Sequence, residues 1–425
     1  MNIIIKNAAK VAEADILLDG LTVIAGFNNM GKSTILKSAY LVLKTFRDFK
    51  QKVWKVRKRS LKSLLLRQEY YFDSNGSVYL PREFLSALAE DADKILSVCI
   101  SEQKNSYELF KNIFLKNLKT YRRYLPKQVS SDFISDEFIR KFYERIRTIS
   151  TRDEGIELKY IAEMYIRNVF GGQLNHFMYQ SQTSVLVRSE TEQYQMFVED
   201  NRISQMEYDL YAEADVFYLP PYHLLDSLER SKMSHRVYSP EYDIKSALAP
   251  VKTEPTLEEY QEIERNTTMV KEILKEVLHG RLERSLSGNI LFKDDESDEA
   301  VNIGNVASGM KNLLIIQSLT ESGKLKRNGI LMVDEPETNL HPQWHLKFAE
   351  VLVMLYKYMG VRSVISTHSP YFIKALETKL AEEQRKETGH YYVMEQADKN
   401  LYRTQDVTGH TEKIYEMLYC PLEYI

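Results

Sequence analysis

The sequence predicts an α/β fold in which a mixed sheet with flanking helices is interrupted by a mainly helical insertion. Three observations carry that prediction. An apolar run, Leu21 to Ala25, stops at Gly26 and leads through a short loop into a pattern with Ile35, Leu36, Ala39, Leu43 and Phe46 at helical spacing. From residue 46 to 190 the chain turns rich in Lys, Glu, Tyr, Leu and Phe with helical periods but no sustained heptads, which favours a compact subdomain over a coiled-coil arm. From Asn289 onward β-prone and helical pieces alternate again. The expected division is 1–45 and 191–425 as two parts of one head, with the insertion at 46–190 between them.

Within the head, Asn2–Lys6 and Asp15–Leu18 are short β-prone segments ahead of the Leu21–Ala25 strand, and Ser33–Phe46 is the helix after the loop. The insertion should hold a strand pair near Tyr70–Leu80, with breaks at Pro81, Pro126-Lys127 and Ser150–Gly155. Alternation at Val185, Val187, Met196 and Val198 predicts strands over Ser184–Asn201 with a turn at Asp200-Asn201. Ala214–Leu219, stopped by Pro220-Pro221, reads as a core strand and Thr256–His279 as a helix. The last elements are a hairpin, Tyr391–Met394 with Leu401–Thr404 across Asp398-Lys399-Asn400, and a helix near Glu412–Leu418.

Composition narrows the function. The balance of 57 Lys and Arg against 60 Asp and Glu argues against nucleic-acid binding through bulk positive charge, so any such contact must be local. Two cysteines, Cys99 and Cys420, cannot form a disulfide framework and are too few for a zinc ribbon or iron–sulfur cluster, as expected of a cytoplasmic chain. No stretch approaches the roughly 18 uncharged apolar residues of a membrane span, so no membrane role is expected.

Four motifs carry chemistry. Gly26-Phe27-Asn28-Asn29-Met30-Gly31-Lys32-Ser33-Thr34 satisfies G-x4-G-K-[ST] between a strand and a helix. Its glycines permit the angles that aim consecutive N–H groups at phosphates, Lys32 adds a compact positive charge, and the Ser33 hydroxyl can ligate Mg²⁺. The candidate ligands of a nucleoside triphosphate are thus Gly26, Asn28, Asn29, Gly31, Lys32, Ser33 and Thr34. The strand Gly329–Val333 ends in Asp334 and Glu335; at its carboxyl end Asp334 can hold the metal through water and Glu335 can polarise the attacking water. A second strand, Ser363–Thr367, delivers His368, whose imidazole can contact the γ-phosphate or the water. Upstream, Ser308-Gly309 opens an apolar helix. Ser308 is either a simple N-cap, or it and the Gly309 amide face the γ-phosphate of a nucleotide held by a second protomer.

The order of phosphate loop, Ser-Gly signature, Asp-Glu strand and switch His resembles the ABC-type ATPase head of transporter motors, SMC proteins and RecF. The run Asp334-Glu335-Pro336-Glu337-Thr338-Asn339-Leu340-His341-Pro342, with Ser366-Thr367-His368-Ser369-Pro370, resembles more narrowly the OLD-type ATPases, among them the stand-alone anti-phage ATPases of the PARIS and Septu systems. The likeness covers 1–45 and 210–425. It implies ATP and Mg²⁺ as ligands, an ATP-sandwich dimer, a 339–342 loop crossing the dimer interface with Glu337 in the same motif, a separately encoded effector such as a nuclease, and a phage-encoded trigger. The signature departs from Leu-Ser-Gly-Gly at Ala307 and Met310. A glutamine ligand cannot be chosen among Gln173, Gln180 and Gln182.

With about 55 residues after His368, no Toprim nuclease of the kind found in OLD nucleases is expected. His341 and His345 lack a third partner for a metal. The basic run Lys50–Arg67 reads first as a solvated helix face and second as a docking strip for DNA or an acidic protein. The competing expectation for the whole chain is a DNA-repair clamp of RecF or SMC kind; missing coiled-coil arms and the Asn-Leu-His-Pro loop stand against it.

Overall fold

The computed structural model describes residues 1–67, 70–73, 76–101, 105–121, 134–176, 181–208, 214–221, 224–225, 237–249, 256–285 and 289–419. It divides into two compact units, Met1–Arg47 with Ile161–Ile425, and Asp48–Tyr160. The chain begins with β1 (Asn2–Ala8), β2 (Val11–Leu17), β3 (Leu21–Ala25) and α1 (Lys32–Phe46). The second unit follows with α2 (Phe49–Arg67), β4 (Tyr70–Asp73), β5 (Gly76–Tyr79), α3 (Arg82–Glu90), α4 (Ala92–Ile100), α5 (Ser106–Thr120) and α6 (Asp136–Ser150). After α7 (Glu154–Val169) come β6 (Thr183–Arg188), β7 (Gln193–Glu199), β8 (Arg202–Tyr208), β9 (Val216–Leu219), α8 (Pro240–Ala247) and α9 (Leu257–Leu278). A three-stranded sheet of β10 (Gly280–Arg284), β11 (Ile290–Asp294) and β12 (Ala300–Asn302) precedes α10 (Lys311–Glu321). The chain then runs through β13 (Ile330–Asp334), α11 (Pro342–Met359), β14 (Arg362–Thr367), α12 (Pro370–Glu382), β15 (Gly389–Asp398), β16 (Leu401–Asp406) and α13 (Glu412–Tyr419).

An eleven-stranded mixed sheet organises the first unit in the order β8-β7-β6-β1-β2-β16-β15-β3-β14-β13-β9. The run from β15 to β9 is parallel throughout. Parallel strands lie covered on both faces, which is why β3 and β13 are buried at every position and read as unbroken apolar runs. The β1, β6 and β7 side is antiparallel and shows the period-two alternation instead. Asp200 and Asn201 both take positive φ between β7 and β8, as a tight hairpin turn of the primed kind requires. The parallel register aligns Asp334 with Ser366 and Thr367 with Ala25, so three neighbouring strands end along one edge.

Two expectations change. The second unit ends at Tyr160, not at 190, because the chain beyond it belongs to the large sheet: β6 pairs with β1 at Ile5 and Val185, and Leu174 and Val187 are fully buried in the first unit. β2 starts at Val11 rather than Asp15; Val11, Ala14 and Ile16 turn inward while Glu13 and Asp15 face out.

The second unit has its own apolar core, with Leu61, Leu65, Phe84, Phe110, Phe114 and Phe142 at its centre. The basic run of α2 is not one solvated strip. Arg57 is 6 % exposed, and its Nε donates to both oxygens of Glu157 at 3.0 and 3.1 Å. Lys58 pairs with Asp93, which leaves Lys55 and Arg59 on the exposed side. Burial pushes the Glu157 carboxyl above its usual range and the Arg57 charge pulls it back. Among the described residues no helix is long and apolar enough to cross a membrane.

Arg57→Ala should destabilise the protein by about 3–5 kcal/mol, because it strands the buried Glu157 without its countercharge. Urea unfolding monitored by circular dichroism measures this; a loss below about 1 kcal/mol would show that the pair is not buried as described.

Candidate functional site

The phosphate loop is shaped by backbone before side chain. Asn29 and Gly31 take positive φ (69° and 95°), and a Cβ at Gly31 would come within 2.8 Å of Val11 Cγ2. The loop closes on itself through the Phe27 N–H to Met30 Sδ, at 3.1 Å. Gly31 is the N-cap of α1 and brings no capping side chain, and the first turn holds no acid. The first amides of α1 are therefore left to an external anion, with the helix dipole favouring negative charge there. Lys32 is nearly buried, and its Nζ donates to the Gly26 and Phe27 carbonyls at 2.8 Å each. Burial lowers its pKa, opposed by the charges of Glu335, Glu337 and Asp334. Asn28 and Asn29 stand exposed at the loop rim, and Thr34 is half-buried in the first turn of α1.

Asp334 has no exposed surface. Its Oδ1 accepts from Ser33 Oγ at 3.0 Å and from Ser366 Oγ, and its Oδ2 accepts from Tyr218 Oη at 2.8 Å. Ser33 and Asp334 thus place a hydroxyl and a carboxylate oxygen side by side, a donor set that suits a hard cation bound directly by Ser33 and through water by Asp334. Two further hydroxyls already occupy the carboxylate, which fits the indirect mode. Among the described residues no group of three or more His, Cys, Asp or Glu is arranged for metal binding, His341 and His345 included.

Glu335 follows in the left-handed region (φ 51°), its N–H donating to the Ser366 carbonyl at 3.0 Å. Such a conformation costs a non-glycine residue roughly 1–3 kcal/mol and is kept where neighbours enforce it. It turns the chain off the strand, and its side chain stays 24 % exposed. His368, at the end of β14, brings Nδ1 to 3.6 Å from Glu335 Oε1 and 3.3 Å from Glu337 Oε1. Glu337 is buried; its Oε1 accepts from Thr367 Oγ1 at 2.7 Å and from the His368 N–H at 2.9 Å, and its Oε2 has no partner. Burial drives the Glu337 carboxyl above its usual range, against the hydrogen bonds from Thr367 and His368.

The chain then turns through Asn339 (φ 60°), with N–H bonds from Thr338 to Glu335 and from Leu340 to Glu337, into α11, where Pro342 takes the first helical position. Gly309 packs on this turn: a Cβ there would lie 2.7 Å from the Asn339 carbonyl oxygen and 2.3 Å from Leu340 Cδ2. Ser308 is not the N-cap of the apolar helix. It opens a short 3₁₀ turn (Ser308–Met310) ahead of α10 whose caps, Ala307 and Met310, make no side-chain bond.

The structure thus gathers Gly26, Lys32, Ser33, Asp334, Glu335 and His368 at adjoining strand ends, and sets Ser308 and Gly309 beside the 339–340 turn. Gln182 donates its amide to Glu199 at 2.6 Å, Gln173 is exposed, and Gln180 lies outside the described residues, so the glutamine ligand stays unassigned. Three participants escaped the sequence reading as ligands of other site residues: Tyr218, Ser366 and Thr367. Tyr218 sits in an ordinary apolar strand, and no local signal marks it. Ser366 and Thr367 stand within the Ser-Thr-His-Ser-Pro run, where two hydroxyls before the His were a usable sign.

Over residues 1–373 the sequence matches the AAA ATPase domain, AAA_15. No curated protein matches the chain. Among solved structures it is similar to an SMC head bound to the C-terminal winged-helix domain of ScpA (11 % identity, 97 % of this chain and 98 % of that chain, TM-score 0.45). It is also similar to the SMC head domain from Thermotoga maritima (10 % identity, 96 % and 98 %, TM-score 0.38). A third is an SMC head with an extended coiled coil bound to the C-terminal domain of ScpA derived from Pyrococcus furiosus (11 % identity, 99 % and 98 %, TM-score 0.40).

Tyr218→Phe removes a hydroxyl from a fully buried carboxylate and should cost about 1.5–3 kcal/mol of stability, read from denaturant midpoints. An unchanged midpoint would show that the bond carries nothing.

Proposed function

Because the chain belongs to the AAA ATPase domain family, we propose that it binds ATP with Mg²⁺, dimerises around the nucleotide and hydrolyses it, acting as the sensor or scaffold of a prokaryotic anti-phage system that controls a separately encoded effector. The observation that carries the catalytic part is the convergence of Lys32, Ser33, Asp334, Glu335 and His368 on three adjoining strand ends. Lys32 now serves the carbonyls of its own loop, and a phosphate offers the same ammonium a better acceptor in the same place. Mg²⁺ supplies charge neutralisation of the phosphates when bound at Ser33 and Asp334. Glu335, partly exposed and turned off the strand, orients and polarises the attacking water; His368 senses the γ-phosphate from the adjoining end of the neighbouring strand.

Dimerisation follows from where Ser308 and Gly309 sit. Gly309 packs on the 339–340 turn, so signature and turn form one surface, whose partner in this reading is the phosphate loop of a second copy. ATP then acts as a population switch, because only the closed pair gains contacts from both protomers to each γ-phosphate. The defence role is supported by the likeness of the 334–342 and 366–370 runs to OLD-type ATPases.

Glu335→Gln should bind ATP, fail to turn it over, and accumulate a dimer or larger species in sedimentation velocity; the same sedimentation with and without ATP would sink the dimer. For the biological role, cells carrying the gene with its neighbours should plate phage poorly and Lys32→Ala should restore plating. Equal plating with and without the gene would overturn the defence reading.

A further inference from the structure

We propose that Glu337 is the positioning residue for His368: its carboxylate takes the imidazole Nδ1–H and so leaves Nε2 as the free nitrogen aimed at the nucleotide. The inference rests on the ATPase reading for its purpose but on geometry for its content. Two donors bond the single oxygen Oε1, the Thr367 hydroxyl at 2.7 Å and the His368 backbone N–H at 2.9 Å; the imidazole Nδ1 of the same histidine lies 3.3 Å from that oxygen, buried and with no hydrogen bond in this arrangement, so Oε1 is its nearest acceptor. The other oxygen, buried, accepts from nothing. A carboxylate kept only for packing would be a poor choice here, since an unpartnered buried oxygen carries a desolvation penalty that an apolar side chain of similar size avoids. The lopsided arrangement has a use. It fixes one oxygen against the backbone of the histidine and leaves that oxygen closest to the unpartnered ring nitrogen Nδ1 of the same residue.

A histidine's two nitrogens are assigned by the hydrogen bond that one of them makes. Two carboxylates face Nδ1 here, and they differ. Glu335 is the more distant at 3.6 Å and its side chain is 24 % exposed; Glu337 is nearer and its side chain only 5 % exposed. If Glu337 takes the Nδ1–H, Glu335 remains unengaged and can act on water. The backbone of Glu337 also accepts the Leu340 N–H that closes the 337–340 turn, so the residue that orients His368 belongs to the turn on which Gly309 packs.

Two measurements test this, and the first does not depend on ATP turnover. In ¹⁵N-histidine-labelled protein, with His368→Gln identifying the resonances, His368 should show a protonated Nδ1 and an unprotonated Nε2. Glu337→Gln should remove that preference and Glu335→Gln should leave it in place. A wild-type ring protonated on Nε2, or a preference lost with Glu335 instead, overturns the proposal even if the protein is an active ATPase. The second is kinetic. Glu337→Gln should lower kcat by about tenfold or more with KM for ATP within about threefold, and should add less than about twofold in a His368→Ala background, because the two residues act as one unit. Equal losses in both backgrounds would assign Glu337 a structural role. An absence of turnover in the wild type would count against the ATPase reading while the tautomer still decides the role of Glu337.

Discussion

A carboxylate with no exposed surface, that of Asp334, is held by hydroxyls from three different elements: Ser33 on α1, Ser366 on β14 and Tyr218 on β9. Burying such a group without partners would be prohibitive, so the three hydroxyls and the carboxylate define one another's positions. The rest of the site depends on this cluster. It ties the helix after the phosphate loop to the strands at the far end of the sequence, about 300 residues away, and it sets where β13 stops and the chain turns at Glu335.

That turn does more than end a strand. Between Glu335 and Pro342 five residues are committed: Glu335 in a left-handed conformation, Glu337 against His368, Asn339 left-handed again, Leu340 against Gly309, and Pro342 at the first position of α11. Backbone strain and a buried acid in one short segment are stabilised by the strands on either side. The segment therefore links the strand that carries the two acids, the strand that carries the histidine and the glycine signature within a single stretch of chain.

Much of this was legible in the sequence where the signal is local. The phosphate loop is a contiguous pattern whose glycines, lysine and serine do their work within one turn, and the fully buried β3 and β13 announce themselves as unbroken apolar runs. Long-range partners were not legible. Tyr218 lies 116 residues from Asp334 and looks like any aromatic in a core strand, and Arg57 looks like one more charge on a basic helix until Glu157, 100 residues on, is seen to bury it. The end of the insertion was misplaced for a related reason: helical periodicity continues through α7, and only the pairing of β6 with β1 returns that part of the chain to the large sheet.

By itself the sequence determined the fold class, the loop that cradles phosphate, the two acids at the end of β13 and the histidine after β14, because each of these is encoded by neighbours in the chain. Tertiary structure alone decided what those groups face. The parallel register of β3, β14 and β13 brings their ends to one edge and sets Asp334 beside Ser366, and the same packing brings Glu337 nearer than Glu335 to the His368 ring nitrogen. The physical reason is that a hydrogen bond depends on distances of a few tenths of an ångström, and such distances are set by strand register and helix packing across the whole sheet.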